Sequence, residues 1–267
     1  MNSVDLNCDM GESFGAFVIG ADQEVFPHIT SANVACGFHG GDPSVMRTTI
    51  AGALAHDVAI GAHPGLPDLV GFGRRTMDVT PQEVYDLIVY QVGALLGFAR
   101  AAGAELQHVK AHGALYNMAA AQPPLAEAIA QAVRDVDGAL VLFAMAGSHL
   151  VTAGERAGLA TASEAFADRN YSRDGALVSR RRGDALVSDA DEALRRALRM
   201  VRDGKVRSVD GDDVVLRADT ICIHGDGPHA AELARKLRTG LEAEGVSVRP
   251  VGRAAAASAQ SAPAARR

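Results

Sequence analysis

Residues 4 to 9 read Val4-Asp5-Leu6-Asn7-Cys8-Asp9, and their alternation decides how the rest of the chain is read. A strand sends successive side chains to opposite faces, so Asp5, Asn7 and Asp9 share one face while Leu6 and Cys8 share the other. Two carboxylates and an amide on the inward face of a strand cost stability. Such residues either line a site or satisfy loop backbones and cap the following turn. Gly11-Glu12-Ser13 follows at once and adds a third carboxylate near the same strand end.

Working outward from this strand, short apolar runs alternate with longer amphipathic stretches, the pattern of repeated βα units and a parallel sheet. Strands are expected over 4–8, 31–36, 59–63, 108–112, 139–144, 160–165 and 220–224, with helices over 43–56, 81–102, 124–136, 149–157, 189–202 and 229–244. Two helix starts carry capping signals: Thr80-Pro81 with Glu83, and Ser188-Asp189 ahead of an acidic first turn. Residues 205–217 hold two β-rich runs around Asp210-Gly211 and predict a hairpin. From Ala254 the chain turns Ala/Ser/Pro-rich, so a domain over 1–252 is expected, followed by a disordered tail over 253–267.

Composition narrows the function. The 267 residues are 48% hydrophobic and 22% charged, and 26 Lys and Arg against 32 Asp and Glu leave a net charge of −6. That is the balance of a globular domain with a sizeable core, without the basic field that nucleic-acid binding needs. The start of the chain lacks a basic segment followed by an apolar one, and no apolar run approaches the ~18 residues of a membrane span. A cytoplasmic protein is expected. Cys8, Cys36 and Cys222 are odd in number and read as buried thiols.

Polar residues gather at the expected carboxyl ends of the strands, where α/β barrels and open α/β sheets build their sites. His39, His63, His112 and His224 end four separate strands, and a barrel would bring them around one mouth. Lys110 and His112, two residues apart on the fourth strand, should both face inward. A lysine there needs an anion or a carboxylate partner such as Asp5 or Asp9, unless it snorkels at the rim. Beyond the sixth strand, Glu164, Asp168, Arg169 and Arg180 to Arg182 combine acids with guanidinium forks suited to a carboxylate, or else form a solvated charge run. A zinc site of Cys36, His39, Cys222 and His224 is weighed and disfavoured against a hard-cation site drawing on Asp5, Asp9 and His63 or His112. No phosphate-binding or dinucleotide glycine motif occurs, and Ser148, Ser163 and Ser172 lack a nucleophile elbow.

Several segments together resemble the LamB/YcsF family. They are Asp5-Leu-Asn-Cys-Asp-Met-Gly-Glu-Ser-Phe-Gly15, Ser31-Ala-Asn-Val-Ala-Cys-Gly-Phe-His-Gly-Gly-Asp-Pro43, Gly61-Ala-His-Pro-Gly65, Gly71-Phe-Gly-Arg-Arg75 and Val109-Lys-Ala-His-Gly-Ala-Leu-Tyr-Asn117. Glu164-Ala-Phe-Ala-Asp-Arg-Asn-Tyr171, Leu177-Val-Ser-Arg-Arg181 and Ile223-His-Gly-Asp-Gly-Pro228 continue the match in order. Ala111 departs from the family's usual proline, and Gly65-Leu66 from its usual Ser-Tyr. The resemblance implies a seven-stranded (β/α) barrel similar to the glycoside hydrolase/deacetylase superfamily. It also implies ATP-dependent hydrolysis of 5-oxo-L-proline to L-glutamate, as one component of a multi-subunit 5-oxoprolinase with subunits B and C.

On that reading the catalytic candidates are Asp5, Asn7, Asp9, Glu12, His39, His63, Lys110 and His112, with Asp9 or Asp5 as general base and Lys110 and His112 stabilising charge. Glu164, Asp168, Arg169, Arg180, His224 and Asp226 are the substrate-binding candidates. ATP is expected as co-substrate at a place the sequence leaves open, and the metal requirement and homo-oligomerisation also stay open. Two alternatives remain: a metal-dependent N-acyl or polysaccharide deacetylase, and a non-catalytic lactam- or sugar-binding module.

Overall fold

The structure, a computed structural model, describes residues 2–252 apart from Asp226 and Pro228. Six strands follow one another around a barrel: β1 (Ser3–Met10), β2 (Ser31–Ala35), β3 (Ala59–His63), β4 (Leu106–Lys110), β5 (Val141–Met145) and β6 (Ala160–Phe166). An antiparallel hairpin of β7 (Lys205–Arg207) and β8 (Asp213–Val215) interrupts the alternation where the Asp210-Gly211 turn predicts it. The seventh barrel strand, β9 (Thr220–Ile223), pairs in parallel with both β6 and β1, from Asp5 opposite Thr220 to Cys8 opposite Ile223, and closes the sheet. A short β10 (Ser247–Val248) extends the foot of β1. The expected seven-stranded parallel barrel is therefore present, while the expected tail over 253–267 lies outside the described residues.

The helices form where capping and patterning ask for them. After a single turn, α1 (Asp22–Val25), α2 (Pro43–Ala55) starts on Asp42, whose carboxylate accepts from the backbone N–H groups of Ser44 and Val45. Helix α3 (Pro81–Ala101) has the full Thr80/Glu83 capping box. By length and composition it could cross a membrane, which the run-length criterion on the sequence did not indicate. Its buried stripe of Val84, Ile88, Val92, Leu95 and Ala99 instead packs against the barrel and α5 (Pro123–Val136). Helices α6 (His149–Arg156), α7 (Ala190–Asp203) and α8 (Ala230–Ala243) complete the outer layer, and α7 is capped by Asp189.

Besides the single turn of α1, one longer helix was not expected. Strand β4 ends at Lys110, two residues early, and His112 is the N-cap of α4 (Gly113–Ala121). Gly113 sits at φ +55, and a Cβ there would lie 2.6 Å from the Gly73 carbonyl oxygen, so only glycine makes this junction without strain. The expectation that His112 faces inward as a strand residue is corrected: it reaches the mouth from a helix start.

The large apolar core lies between barrel and helices, so the barrel's own interior is free to be polar. At its closed end His108 stacks on Phe143, with centroids 4.1 Å apart, and occupies the space that a side chain on Gly61 would need. Asp5, then Asn7, then Asp9 rise along β1 toward the carboxyl ends, and His108 meets the Asn33 side chain that contacts the latter two.

Candidate active site

Asp5 sits deepest. One carboxylate oxygen accepts from the hydroxyls of Thr30 and Ser31, at 2.6 and 2.7 Å, and the other accepts from Thr220. It does not line the cavity. Burial pushes its carboxyl up to about 6, against the opposing pull of those hydroxyls. A raised carboxyl pKa means that the folded state holds the proton more tightly than the unfolded chain. The cost of ionising Asp5 is therefore absent below the ordinary carboxylate range, grows between pH 3.8 and about 6, and is fully present above. At roughly 1.4 kcal/mol per pH unit, about 3 kcal/mol is at stake. The expected result is that Asp5→Asn raises the melting temperature at pH 8, with the gain fading toward pH 4. A pH-independent difference would remove Asp5 as its source.

One turn higher, Asn7, Asp9, Lys110 and Glu164 form a buried network. The Lys110 ammonium lies 2.8 Å from Asp9 Oδ1, 2.9 Å from Glu164 Oε1, 3.2 Å from Asn7 Oδ1 and 3.0 Å from Cys222 Sγ. Its side chain is 4% exposed, which rules out the snorkelling alternative. Burial works against its charge, but Asp9, Cys222 and Glu164 outweigh burial and hold the ammonium well above its ordinary range. Asp9 is likewise pushed up by burial and held well below the carboxylate range by His63 and Lys110. Asn33 donates to both Asn7 and Asp9, and Tyr116 donates its hydroxyl proton to Glu164 at 2.6 Å.

The histidines converge beside Asp9. His63 Nδ1 donates to the Lys110 carbonyl at 2.7 Å, and His112 Nε2 donates to the Phe72 carbonyl at 2.8 Å. A carbonyl only accepts, so these two nitrogens carry protons, and the remaining nitrogens, His63 Nε2 and His112 Nδ1, face each other 2.9 Å apart. Glu12 Oε1 lies 3.5 Å from His112 Nδ1 and 3.2 Å from His39 Nε2, and Asp9 Oδ2 lies 3.3 Å from His63 Nε2. His39 and His112 stack in parallel at 3.6 Å. Burial and the neighbouring imidazoles hold both well below the ordinary histidine range, so they stay neutral.

Four donors, from Glu12, His39, His63 and His112, lie within 4.8 Å of one another. They fit a divalent cation: one carboxylate and three imidazoles converge, and two of those rings are anchored through their outer nitrogens as metal ligands commonly are. The expected cation set is therefore redrawn, keeping His63 and His112, adding Glu12 and His39, and leaving Asp5 a layer below. Among the described residues Cys36 belongs to no such group, whereas Asp9, Cys222 and His224 form a second one. Cys36 donates to the Val34 carbonyl instead.

A cavity of about 570 Å³ opens above this floor and is lined by Asp9, His63, Lys110 and His112. The loop between β6 and α7 forms another wall with Arg169, Arg180 and Arg181. Arg169 is 7% exposed and donates to the Val178 carbonyl, while its Nε has no partner among the described residues. His224 pairs through Nδ1 with Asp168 Oδ2 at 2.7 Å and stacks on Phe166. Burial raises Asp168, but His224, Arg169 and Arg180 outweigh it and keep the carboxyl below its ordinary value. Asp226 lies outside the described residues. Tyr116, Asn117 and Arg74 line the cavity without having been singled out, the first two because they lie on the unexpected α4.

The LamB/YcsF family profile matches residues 4–256. The A component of 5-oxoprolinase from Bacillus licheniformis is 62% identical over 248 residues, covering 93% of this chain and 98% of its own. That of Bacillus subtilis is 58% identical over 248 residues, covering 93% and 96%. The crystal structure of the lactam utilization protein from Thermus thermophilus matches with a TM-score of 0.88 at 51% identity, over 92% of this chain and 99% of that one. The Xyl-CE4 domain of a multidomain xylanase from the hindgut metagenome of Trinervitermes trinervoides matches with a TM-score of 0.50 at 10% identity, over 97% and 91%. That last likeness concerns the fold alone.

Proposed function

Because the chain belongs to the LamB/YcsF family, we propose that it opens the lactam ring of 5-oxoproline to give glutamate, as the A component of an ATP-dependent 5-oxoprolinase completed by subunits B and C. The observation that carries this reading is the Asp9 carboxylate, held between Lys110 and His63 at the floor of a cavity whose wall bears Arg169 and Arg180. It is the carboxylate of β1 that both reaches the cavity and stays ionised, so of the two candidate bases Asp9 is favoured over Asp5.

A five-membered lactam is a poor electrophile, and opening it needs water activated on one side of the carbonyl carbon and a proton delivered to the ring nitrogen. Asp9 takes the proton of the attacking water. Lys110 faces the carbonyl oxygen, where charge develops, while His112, whose Nε2 proton is committed to the Phe72 carbonyl, has none to offer there. His224, oriented by Asp168, passes a proton to the departing nitrogen, and Arg169 with Arg180 grips the substrate carboxylate. A divalent cation at Glu12, His39, His63 and His112 would polarise the carbonyl and lower the pKa of a bound water. ATP enters as co-substrate of the complex, at a site the partner subunits help to build.

The test is glutamate release from 5-oxoproline and ATP by the chain with and without subunits B and C, alongside metal analysis of the same preparation. Glutamate in the complete mixture supports the reading. A chain that retains about one divalent ion, cleaves N-acetylated sugars and leaves 5-oxoproline untouched would replace it with the deacetylase reading.

A further inference from the structure

His108 is a fully buried side chain of the barrel interior that the chemistry above leaves unused. It lies on β4 two residues below Lys110, does not reach the cavity wall, and has its ring stacked on Phe143 of β5. A side chain on Gly61 of β3 would overlap that ring, so glycine is what seats it. Burial, with Lys110 and His63 nearby, pushes the His108 pKa down to about 3, and the neutral ring carries a single N–H. Its neighbours decide which nitrogen holds it. Lys110 only donates, and it approaches Asp9 Oδ1 at 2.8 Å and Asn7 Oδ1 at 3.2 Å, so both oxygens are acceptors. Asn33 of β2 meets the same two oxygens, at 2.7 Å from Asn7 and 2.8 Å from Asp9, and must turn its amide nitrogen to them, which commits both of its hydrogens. What remains is the Asn33 carbonyl oxygen, 2.8 Å from His108 Nε2, so the His108 proton sits on Nε2. His108 Nδ1 is left without a partner among the described residues. A buried polar atom in that state costs stability that a phenylalanine stacked in the same place would not.

We propose that His108 is a positioning residue for the base: through Asn33 it fixes the Asp9 carboxylate so that Oδ1 is engaged and Oδ2 is the oxygen that takes the proton of the attacking water. This inference rests on the function proposed above, in which Asp9 is that base. Turning the Asn33 amide by half a turn would set its oxygen against the acceptor oxygens of Asn7 and Asp9 and its N–H groups against the His108 N–H. The Nε2 proton therefore selects one orientation of the amide. In that orientation Asp9 Oδ1 accepts from both Asn33 and Lys110, and Oδ2, 3.3 Å from His63 Nε2, is left for the proton. Without the His108 donor the Asn33 oxygen loses its partner, the amide can turn, and its hold on Asp9 loosens. Because His108 does not reach the cavity, the loss falls on turnover and spares substrate binding.

Glutamate formation by the assembled complex is measured with the parent chain, with His108→Phe, with Asn33→Ala and with the two combined. His108→Phe keeps a ring against Phe143 and removes the donor, so kcat should fall about tenfold while KM for 5-oxoproline stays within about twofold. His108→Gln, whose amide can donate to the same oxygen, should recover most of that loss. Adding His108→Phe to Asn33→Ala should lower kcat no further, because the residue through which His108 acts is already gone. A role in packing alone predicts equal losses in both backgrounds and no recovery with glutamine. Nitrogen NMR of the parent chain with isotope-labelled histidine tests the assignment whether or not a variant folds, and should show the His108 ring neutral and protonated at Nε2. Equal losses in the two backgrounds, an undiminished kcat in His108→Phe, glutamine no better than phenylalanine, or a His108 ring protonated at Nδ1 each overturns the inference and leaves the proposed function standing. If the complex with the parent chain forms no glutamate, the proposed function falls and this inference with it.

Discussion

Lys110→Met abolishes glutamate formation by the assembled complex, with turnover falling at least ~10³-fold, while the chain still folds. The expectation follows from where the ammonium sits: it touches Asp9, Glu164, Asn7 and Cys222 at once, and no other lysine or arginine reaches those two carboxylates among the described residues. Without it, charge developing on the substrate oxygen loses its nearest cation. Methionine fills similar volume, but two carboxylates are left buried without a counter-charge, which typically costs 3–5 kcal/mol unless they take up protons. The sign of the pH response separates this loss from simple cavity formation. In the parent chain the Asp9 carboxyl is depressed, so its stabilising contribution is present above the ordinary carboxylate range and is lost as pH falls. In the variant the buried Asp9 carboxyl has lost the ammonium that helps hold it down, so burial raises it and stability is greatest in acid and declines as pH rises. Melting curves at pH 5 and pH 8 read this directly. An active Lys110→Met protein, or one whose melting follows the parent's pH dependence, would remove Lys110 from the chemistry.

Asp9→Asn is the cleaner probe of the base. Its Oδ1 can keep accepting from Asn33 and Lys110, and the new amide keeps the shape of the carboxylate beside His63 Nε2. The shape and hydrogen-bond geometry of the carboxylate are kept while its negative charge and its capacity to take a proton are lost, and Glu164 remains as the counter-charge of Lys110. Turnover should fall by ~10² or more, the usual worth of a general base, with little change in melting temperature. Near-parent turnover would reassign the role.

The barrel was legible because short apolar runs alternate along the chain with longer amphipathic stretches, and because polar and apolar residues alternate strictly in the first strand. All seven barrel strands lie within a few residues of where that pattern places them, and the Thr80 and Asp189 caps mark their helices. Depth was not legible. Period-2 alternation puts Asp5 and Asp9 on the same face but says nothing of which one lies in the floor and which at the mouth. Only closure of β1 against β9, which sets Thr220 opposite Asp5, shows that Asp5 is sealed by hydroxyls. Glu12 and His39 join the cation set because the chain leaves β1 and β2 and turns back on itself, where no periodicity applies. Tyr116 and Asn117 were missed for a related reason. Gly113 reads as the end of a strand, yet in its positive-φ conformation it begins a helix, and the first turn of that helix carries both residues into the cavity. Tyr116 follows His112 by four residues, so a strand-to-helix reading of His112-Gly-Ala-Leu-Tyr116 would have found it.

The most direct measurement of the central claim, that ring opening happens in this cavity and depends on Asp9, is glutamate formed per ATP consumed by the complex assembled with either the parent chain or its Asp9→Asn variant. Glutamate should appear in proportion to ATP with the parent chain and fall ~10²-fold with the variant. Undiminished glutamate formation with the Asp9→Asn chain, or from subunits B and C with this chain left out, would contradict it.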